Sequence, residues 1–167
     1  SGADLLVIPV LSGRVAACSD GSTPDLDAIE DLLDRKEFTG KKGQTLFVST
    51  PDGPTPEMLL VGLGDEVDTE ALRRAAGSVA RACKGYTTVA TTLHHVDIED
   101  AAEAVALGSW LGAYSFDEYK SDPKPRALST MTLVDDADLT EAIERAEAVA
   151  RGVTLARDLV NRPARDK

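Results

Sequence analysis

The sequence is poor in aromatic residues, which make up 4% of its 167 residues. Because hydrophobic residues still amount to 43%, a buried core must be built from alanine, valine, leucine and isoleucine. No apolar run approaches the roughly 20 residues that a membrane-spanning helix needs. No basic stretch followed by an apolar one opens the chain, as a signal peptide would. The length suits one domain with a substantial core, and we expect a cytoplasmic protein without a membrane partner.

Cysteine is equally scarce, since Cys18 and Cys83 are the only two. They form no Cys-x-x-Cys pair, and neither has a histidine close by in the sequence. We therefore expect two small core residues in a reducing compartment rather than a disulfide or a metal site.

An excess of positive charge is also missing, because the formal net charge is −11. Such a domain repels phosphate backbones, which argues against nucleic acid as a partner.

What the sequence does contain is a regular alternation of strand-like and helix-like segments. Short apolar or β-branched runs predict strands at 4–10, 14–17, 44–49, 58–62, 86–93 and 127–134. Helical spacing predicts helices from 23 to the glycines near 40, and at 68–83, 98–114 and 139–160. The turn formers between the third and fourth strands indicate a hairpin. The pattern predicts an α/β three-layer sandwich, with helices on both faces of a mixed or mostly parallel central sheet.

One candidate for ligand binding is the turn formed by Gly62, Leu63, Gly64 and Asp65 between a strand and a helix. Glycines at such a place let the backbone approach a phosphate. The third glycine of a dinucleotide fingerprint is missing, however, and the acids that follow repel phosphate. We interpret the segment as a plain tight turn.

A second candidate is the pair His94 and His95, followed by Asp97, Glu99 and Asp100. Neighbouring residues of a strand point to opposite faces, so the two imidazoles are not expected to share one metal ion. Structural or surface histidines are the expectation.

The acids Asp135, Asp136 and Asp138 lack the spacing of a calcium loop. We expect Asp138 to cap the following helix and the other two to be solvated.

No motif of a serine hydrolase, cysteine peptidase or zinc peptidase is present. We therefore predict no catalytic, cofactor-binding or metal-ligating residue and no cofactor in this chain.

Two segments near the end of the chain resemble a known family. Residues 107–122 read LGSWLGAYSFDEYKSD, and residues 152–166 read GVTLARDLVNRPARD. Both are similar to segments of the M17 leucine aminopeptidases, in which the second one leads into the catalytic domain. VGLG at 61–64 followed by LRRAAG at 72–77 fits the same order. The chain departs from the family at Leu107, where a glutamate is usual, and at Arg165, where an asparagine is usual.

The resemblance implies a macrodomain-like domain over residues 3–137 and a long connecting helix over 138–167. It implies the non-catalytic N-terminal domain, with an assembly or regulatory role, of a hexameric peptidase that removes N-terminal amino acids such as leucine from peptides. Two divalent metal ions, manganese or zinc, would be held by Lys, Asp and Glu ligands of the C-terminal catalytic domain, the principal partner. Tyr114, Phe116 and Tyr119 would anchor an extended segment against the sheet or against that domain. Asn161 and Pro163 would direct the chain out of the last helix.

The alternative is a stand-alone macrodomain-like module that binds ADP-ribose or a related nucleotide through the turn at Gly62. Calorimetry with ADP-ribose distinguishes the two hypotheses. A DNA-binding role is a third hypothesis, against which the net charge argues.

Overall fold

In the computed structural model, strands and helices follow one another in the predicted order. The structure describes residues 2–12, 14–15, 26–51, 53–83, 85–119, 121 and 128–162. Within these ranges the strands are β1 (Leu5–Leu11), β2 (Arg14–Val15), β3 (Thr45–Ser49), β4 (Glu57–Gly62), β5 (Thr88–Thr91) and β6 (Thr130–Leu133). The helices are α1 (Leu26–Arg35), α2 (Thr69–Ala82), α3 (Ala101–Ala113) and α4 (Thr140–Asn161).

The strands form one mixed sheet in the order β3-β4-β1-β5-β6, with β2 paired to the end of β1. Strands β4, β1, β5 and β6 run parallel to one another. Strand β3 is antiparallel to β4, with Thr45 opposite Val61 and Ser49 opposite Glu57. The predicted mixed sheet and the predicted β3–β4 hairpin are thus confirmed.

Strand β1 is buried on both faces of the sheet. Leu5 and Val7 pack into a cluster with α2 and α3, whereas Leu6, Ile8 and Val10 pack into a second cluster with α1. Strand β4 alternates in the same way. Burial on both faces explains why these parallel strands are uninterrupted apolar runs. It also confirms the prediction of helices on both faces of the sheet.

Several elements are shorter than the sequence pattern indicates. Strand β5 ends at Thr91 because the chain then turns, and the amide of His95 donates to the carbonyl oxygen of Thr92 at 2.9 Å. Helix α3 begins only at Ala101, because Asp100 has a φ of 57°, in the left-handed region. The predicted start of the first helix at residue 23 lies outside the described residues.

Helices α2 and α3 approach each other until their backbones touch. A Cβ atom on Gly108 would lie 2.1 Å from the carbonyl oxygen of Arg73, and one on Gly112 would lie 2.3 Å from that of Gly77. Both distances are far below van der Waals contact. Glycine at 108 and 112 is therefore a requirement of this helix pair, although it weakens an isolated helix.

Helix α4 packs on α3 mainly through its first half. Ala146 and Ala150 are buried, and Arg145 forms an ion pair with Glu103 of α3 at 2.7 Å. The helically spaced apolar residues of α4 continue to Val160, which is 79% exposed. Although α4 has 22 residues, no helix of the described ranges is both long and apolar enough to cross a membrane.

The α2–α3 contact generates a test with an internal control. We predict that Gly108→Ala lowers the free energy of unfolding by about 1–3 kcal/mol, because the methyl group forces the two helices apart. Gly152→Ala in α4 is the control, since a Cβ there meets nothing within 4 Å. It should stabilise the chain by up to about 1 kcal/mol, because alanine favours a helix over glycine. Urea unfolding measures both, and equal effects of the two substitutions would contradict the close contact.

Candidate functional site

The carboxyl ends of β1, β4, β5 and β6 lie at one edge of the sheet, because these strands are parallel. Ligands of α/β proteins commonly bind at this edge. Two candidates from the sequence lie there: the glycine turn after β4 and the histidine pair after β5.

The backbone amides of the glycine turn are hydrogen-bonded to other segments of the chain. The amides of Gly62, Leu63 and Gly64 donate to backbone carbonyls of Gln44, Val10 and Gly40 at 2.7, 3.0 and 2.8 Å. These three N–H groups are therefore already used and do not form a cradle for a phosphate.

Close approach of the chain explains both glycines of the turn. A Cβ on Gly62 would lie 2.3 Å from the carbonyl oxygen of Lys41. Gly64 has a φ of 84°, in the left-handed region that favours glycine. Asp65 then accepts a hydrogen bond from the Ser12 hydroxyl at 2.7 Å. The geometry agrees with the interpretation as a tight turn.

The histidine pair differs from the prediction. His94 and His95 follow β5 in a turn, so the alternation of a strand does not apply to them. Their Nε2 atoms lie 3.0 and 3.1 Å from the same oxygen, Oδ2 of Asp135, and the ring centroids are 4.4 Å apart. The expectation that the two imidazoles diverge is wrong, and so is the expectation that Asp135 is merely solvated.

Asp135 comes from the loop after the neighbouring strand, β6. Its Oδ1 accepts a hydrogen bond from the amide of Ala137 at 2.8 Å, which leaves Oδ2 to the histidines. This bond to Ala137, followed by the bond to His94, lowers the pKa of Asp135. The carboxylate is therefore held ionised and oriented at the sheet edge.

His94 is the buried member of the cluster, and its side chain is only 3% exposed. Burial, and then the neighbouring His95, lowers the pKa of His94, and the contact with Asp135 opposes this. Within the described part of the chain, its Nδ1 is buried without a hydrogen-bond partner. A neutral imidazole that donates from Nε2 to Asp135 fits this environment.

The remaining acids of the two loops do not join the cluster. In the described ranges, the only set of three or more possible metal-ligating side chains consists of His94, His95 and Asp135, with ligand atoms within 4.8 Å of one another. Asp138 accepts a hydrogen bond from the amide of Thr140, the first residue of α4, at 2.9 Å, but the N-cap of the helix is Leu139 and not Asp138 as predicted.

Tyr114 forms a second cluster, where the chain leaves α3. Its hydroxyl donates to Oδ1 of Asp158 at 2.7 Å and accepts from Nδ2 of Asn161 at 3.3 Å. The guanidinium of Arg157 lies 5.3 Å from the centre of the tyrosine ring. We call these four residues the Tyr114 cluster. Tyr114 therefore anchors its segment to α4 rather than to the sheet, while the expected contact with the catalytic domain stays a prediction.

Cys83, at the end of α2, is buried in the cluster between the sheet and α2. Burial raises the pKa of its thiol to about 11. The thiol is therefore protonated at neutral pH, which agrees with the predicted core role. Cys18 lies outside the described residues.

Comparison with protein families assigns the chain. The model described as "Cytosol aminopeptidase family, N-terminal domain" matches residues 19–123. The chain belongs to this family. The probable cytosol aminopeptidase of Thermosynechococcus vestitus is 38% identical over an alignment of 149 positions, which covers 83% of this chain and 30% of that protein. For the probable cytosol aminopeptidase of Nocardia farcinica the identity is 40%, over 96% of this chain and 35% of that protein.

Solved structures of longer proteins share the fold. A mutant of tomato leucine aminopeptidase superposes with a TM-score of 0.78 at 24% identity, over 98% of this chain and 36% of that chain. The bottromycin maturation enzyme BotP superposes with a TM-score of 0.76 at 28% identity, over 98% of this chain and 34% of that chain. The chain thus spans about a third of the length of the proteins that it matches. The stand-alone nucleotide-binding module receives no support.

The two segments that resemble this aminopeptidase family meet in the Tyr114 cluster. Tyr114 belongs to the first segment, and Arg157, Asp158 and Asn161 belong to the second. The pairing was not predicted, because the partners are 44 and 47 positions apart. The periodicity of α4 does carry a signal for it: residues 157, 158 and 161 share one face of a helix.

The buried histidine generates a prediction on stability. We predict that Asp135→Ala, in the presence of a metal chelator, lowers the free energy of unfolding by about 1–3 kcal/mol, because the ring N–H of His94 loses its acceptor. Asp136→Ala is the matched control, since it removes the same charge one position away. Urea unfolding compares the two variants. If they are equally stable, the bond between Asp135 and His94 contributes nothing measurable.

Proposed function

We propose that the chain is the non-catalytic assembly or regulatory domain of a longer metallo-aminopeptidase. The whole enzyme would remove N-terminal amino acids, leucine among them, from peptides. The observation that carries this proposal is the match to the family's N-terminal domain, together with coverage of about a third of each relative. Peptide hydrolysis would then belong to the remaining two thirds.

Two divalent metal ions, manganese or zinc, would act in that catalytic domain. Metal ions of this kind polarise a peptide carbonyl and make water a nucleophile at neutral pH. One of the similar structures, BotP, is a complex with manganese, which supports this choice of ion. The cluster at His94 is not proposed as this site, because two imidazoles and one carboxylate differ from the Lys, Asp and Glu ligands of the family.

The second half of α4 offers a surface that suits such a partner domain. Leu155, Leu159 and Val160 are 59%, 47% and 79% exposed. Large apolar side chains grouped on one helix commonly mark an interface. We propose that residues 3–137 form the domain proper, and that the helix within 138–167 presents this surface to the chain's own catalytic domain. A hexamer in the cytoplasm is the proposed assembly.

The proposed function predicts that this chain does not hydrolyse leucine p-nitroanilide, even with added Mn²⁺, because the residues that hold the catalytic metals would lie in the catalytic domain. A full-length cytosol aminopeptidase, assayed in parallel, shows that the substrate and metal are competent. The measurement is release of nitroaniline followed by absorbance. Robust turnover by this chain would contradict the proposed function.

The interface proposal predicts a contrast between this chain and the longer enzyme. The double substitution Leu155→Ser and Leu159→Ser should change the stability of this chain by no more than about 1 kcal/mol, because both side chains are exposed and each exposed substitution typically changes stability by up to about 0.5 kcal/mol. In a full-length enzyme the same pair should lower the melting temperature. The control is Ala150→Ser, which alters the buried face of α4 and should destabilise both proteins. Equal tolerance of the double substitution in both would contradict the interface.

A further inference from the structure

The cluster of His94, His95 and Asp135 has the donor set and arrangement of a metal site. We propose that these three side chains bind one divalent transition-metal ion of the zinc class, which joins the loop after β5 to the loop after β6. This site is separate from the metals of the proposed catalytic domain. It goes beyond the proposed function, and neither proposal depends on the other.

The spacing of the three ligand atoms suits a tetrahedral ion. Around zinc, with bonds of about 2.0–2.2 Å, neighbouring ligand atoms are roughly 3.4 Å apart. The Nε2 atoms of His94 and His95 lie 3.0 and 3.1 Å from Oδ2 of Asp135. All three ligand atoms lie within 4.8 Å of one another, so changes of a few tenths of an ångström to about one ångström in these separations, made by rotation of the side chains, would fit the ion.

The donor set selects the class of ion. Two imidazole nitrogens and one carboxylate oxygen suit zinc, cobalt, nickel or copper, whereas calcium and magnesium prefer oxygen ligands only. Three protein ligands leave a fourth position for water. Asp135 provides the route to solvent, since its side chain is 25% exposed, compared with 11% for His95.

Proton positions do not oppose binding. Without metal, an Nε2–H group can donate to the ionised Asp135. A metal ion on Nε2 displaces that hydrogen, and the same hydrogen then moves to Nδ1 of its ring. Nδ1 of His94 lacks a hydrogen-bond partner within the described residues. It would be an unpaired acceptor in the metal-free form and an unpaired donor in the metal-bound form. This cost is common to both states, so it does not favour the metal-free form.

The backbone holds the ligands in place before an ion arrives. The amide of His95 bonds to the carbonyl of Thr92 at 2.9 Å, and the amide of Val134 bonds to that of Thr91 at 3.0 Å. Asp135 is further fixed by its bond from Ala137. Little conformational freedom remains to be lost on binding. The net charge of −11 also attracts a cation to the domain.

Calorimetric titration of the tag-free, chelator-treated chain with Zn²⁺ at pH 7.5 tests the proposal. We expect one ion per chain. His95→Ala and Asp135→Asn should each weaken binding by more than about 100-fold, since even an outer-shell loss costs roughly 10–100-fold. Asp136→Asn is the charge-matched control and should retain the affinity within about twofold, because its carboxylate is outside the cluster.

Histidine resonances provide a second measurement on the unaltered chain. The chain has only two histidines, so ¹⁵N-labelled imidazoles report on His94 and His95 directly. One equivalent of Zn²⁺ should shift both Nε2 signals and move the protons to Nδ1, whereas Ca²⁺ at equal concentration should do neither. Absence of these shifts at millimolar Zn²⁺ overturns the proposal. Because this measurement uses the unaltered chain, it decides the question even if a variant fails to fold. Zinc binding that survives both ligand substitutions also overturns the proposal.

Discussion

The contact between α2 and α3 is the constraint on which the packing of α2, α3 and α4 depends. Gly108 and Gly112 bring the two helices together until carbonyl oxygens of α2 touch the backbone of α3. Helix α3 in turn provides the surface against which Ala146 and Ala150 of α4 are buried. A methyl group at 108 or 112 would therefore displace α3 and, through it, α4. Two positions without side chains thus determine where three helices lie.

The Tyr114 cluster closes this arrangement at its other end. The chain leaves α3 in an extended conformation at Tyr114, and the tyrosine hydroxyl bonds to Asp158 near the end of α4. Arg162 reaches back to Glu118 at 3.0 Å in the same region. The ends of α3 and α4 are consequently held together by polar contacts where the apolar packing between them fades. The direction in which α4 ends is therefore set by residues of the α3 exit.

Local patterns predicted the elements well, because burial on both faces of the sheet leaves a simple signal. Strand β1 is apolar without interruption, and the helices carry apolar positions at helical spacing. The ends were predicted less well: the β-branched run near Thr92 continues beyond the strand ladder, and the left-handed backbone at Asp100 leaves no mark in the composition. The close approach at Gly108 was also hidden, since a glycine in a helix does not reveal its neighbour.

The error over the histidines has the same origin. Opposite orientation follows only if His94 and His95 continue the strand, and the turn after Thr91 removes that condition. Their partner Asp135 was separated from them by 41 and 40 positions, and only the parallel pairing of β5 with β6 brings it near. A sequence argument that had placed these two strands side by side would have put all three residues at one edge of the sheet.

That edge is divided into two unlike halves. After β4, the backbone amides at 62–64 are bonded to carbonyls of other segments, so this half is closed by the protein's own chain. After β5 and β6, three side chains with metal-ligating atoms converge, and two of them, His95 and Asp135, are partly open to solvent. The carboxyl ends of parallel strands are the usual place for ligand binding. At the glycine turn, however, the backbone amides are already hydrogen-bonded within the chain. Within the described residues, the metal-ligating side chains of this edge are therefore grouped in the half that holds His94, His95 and Asp135.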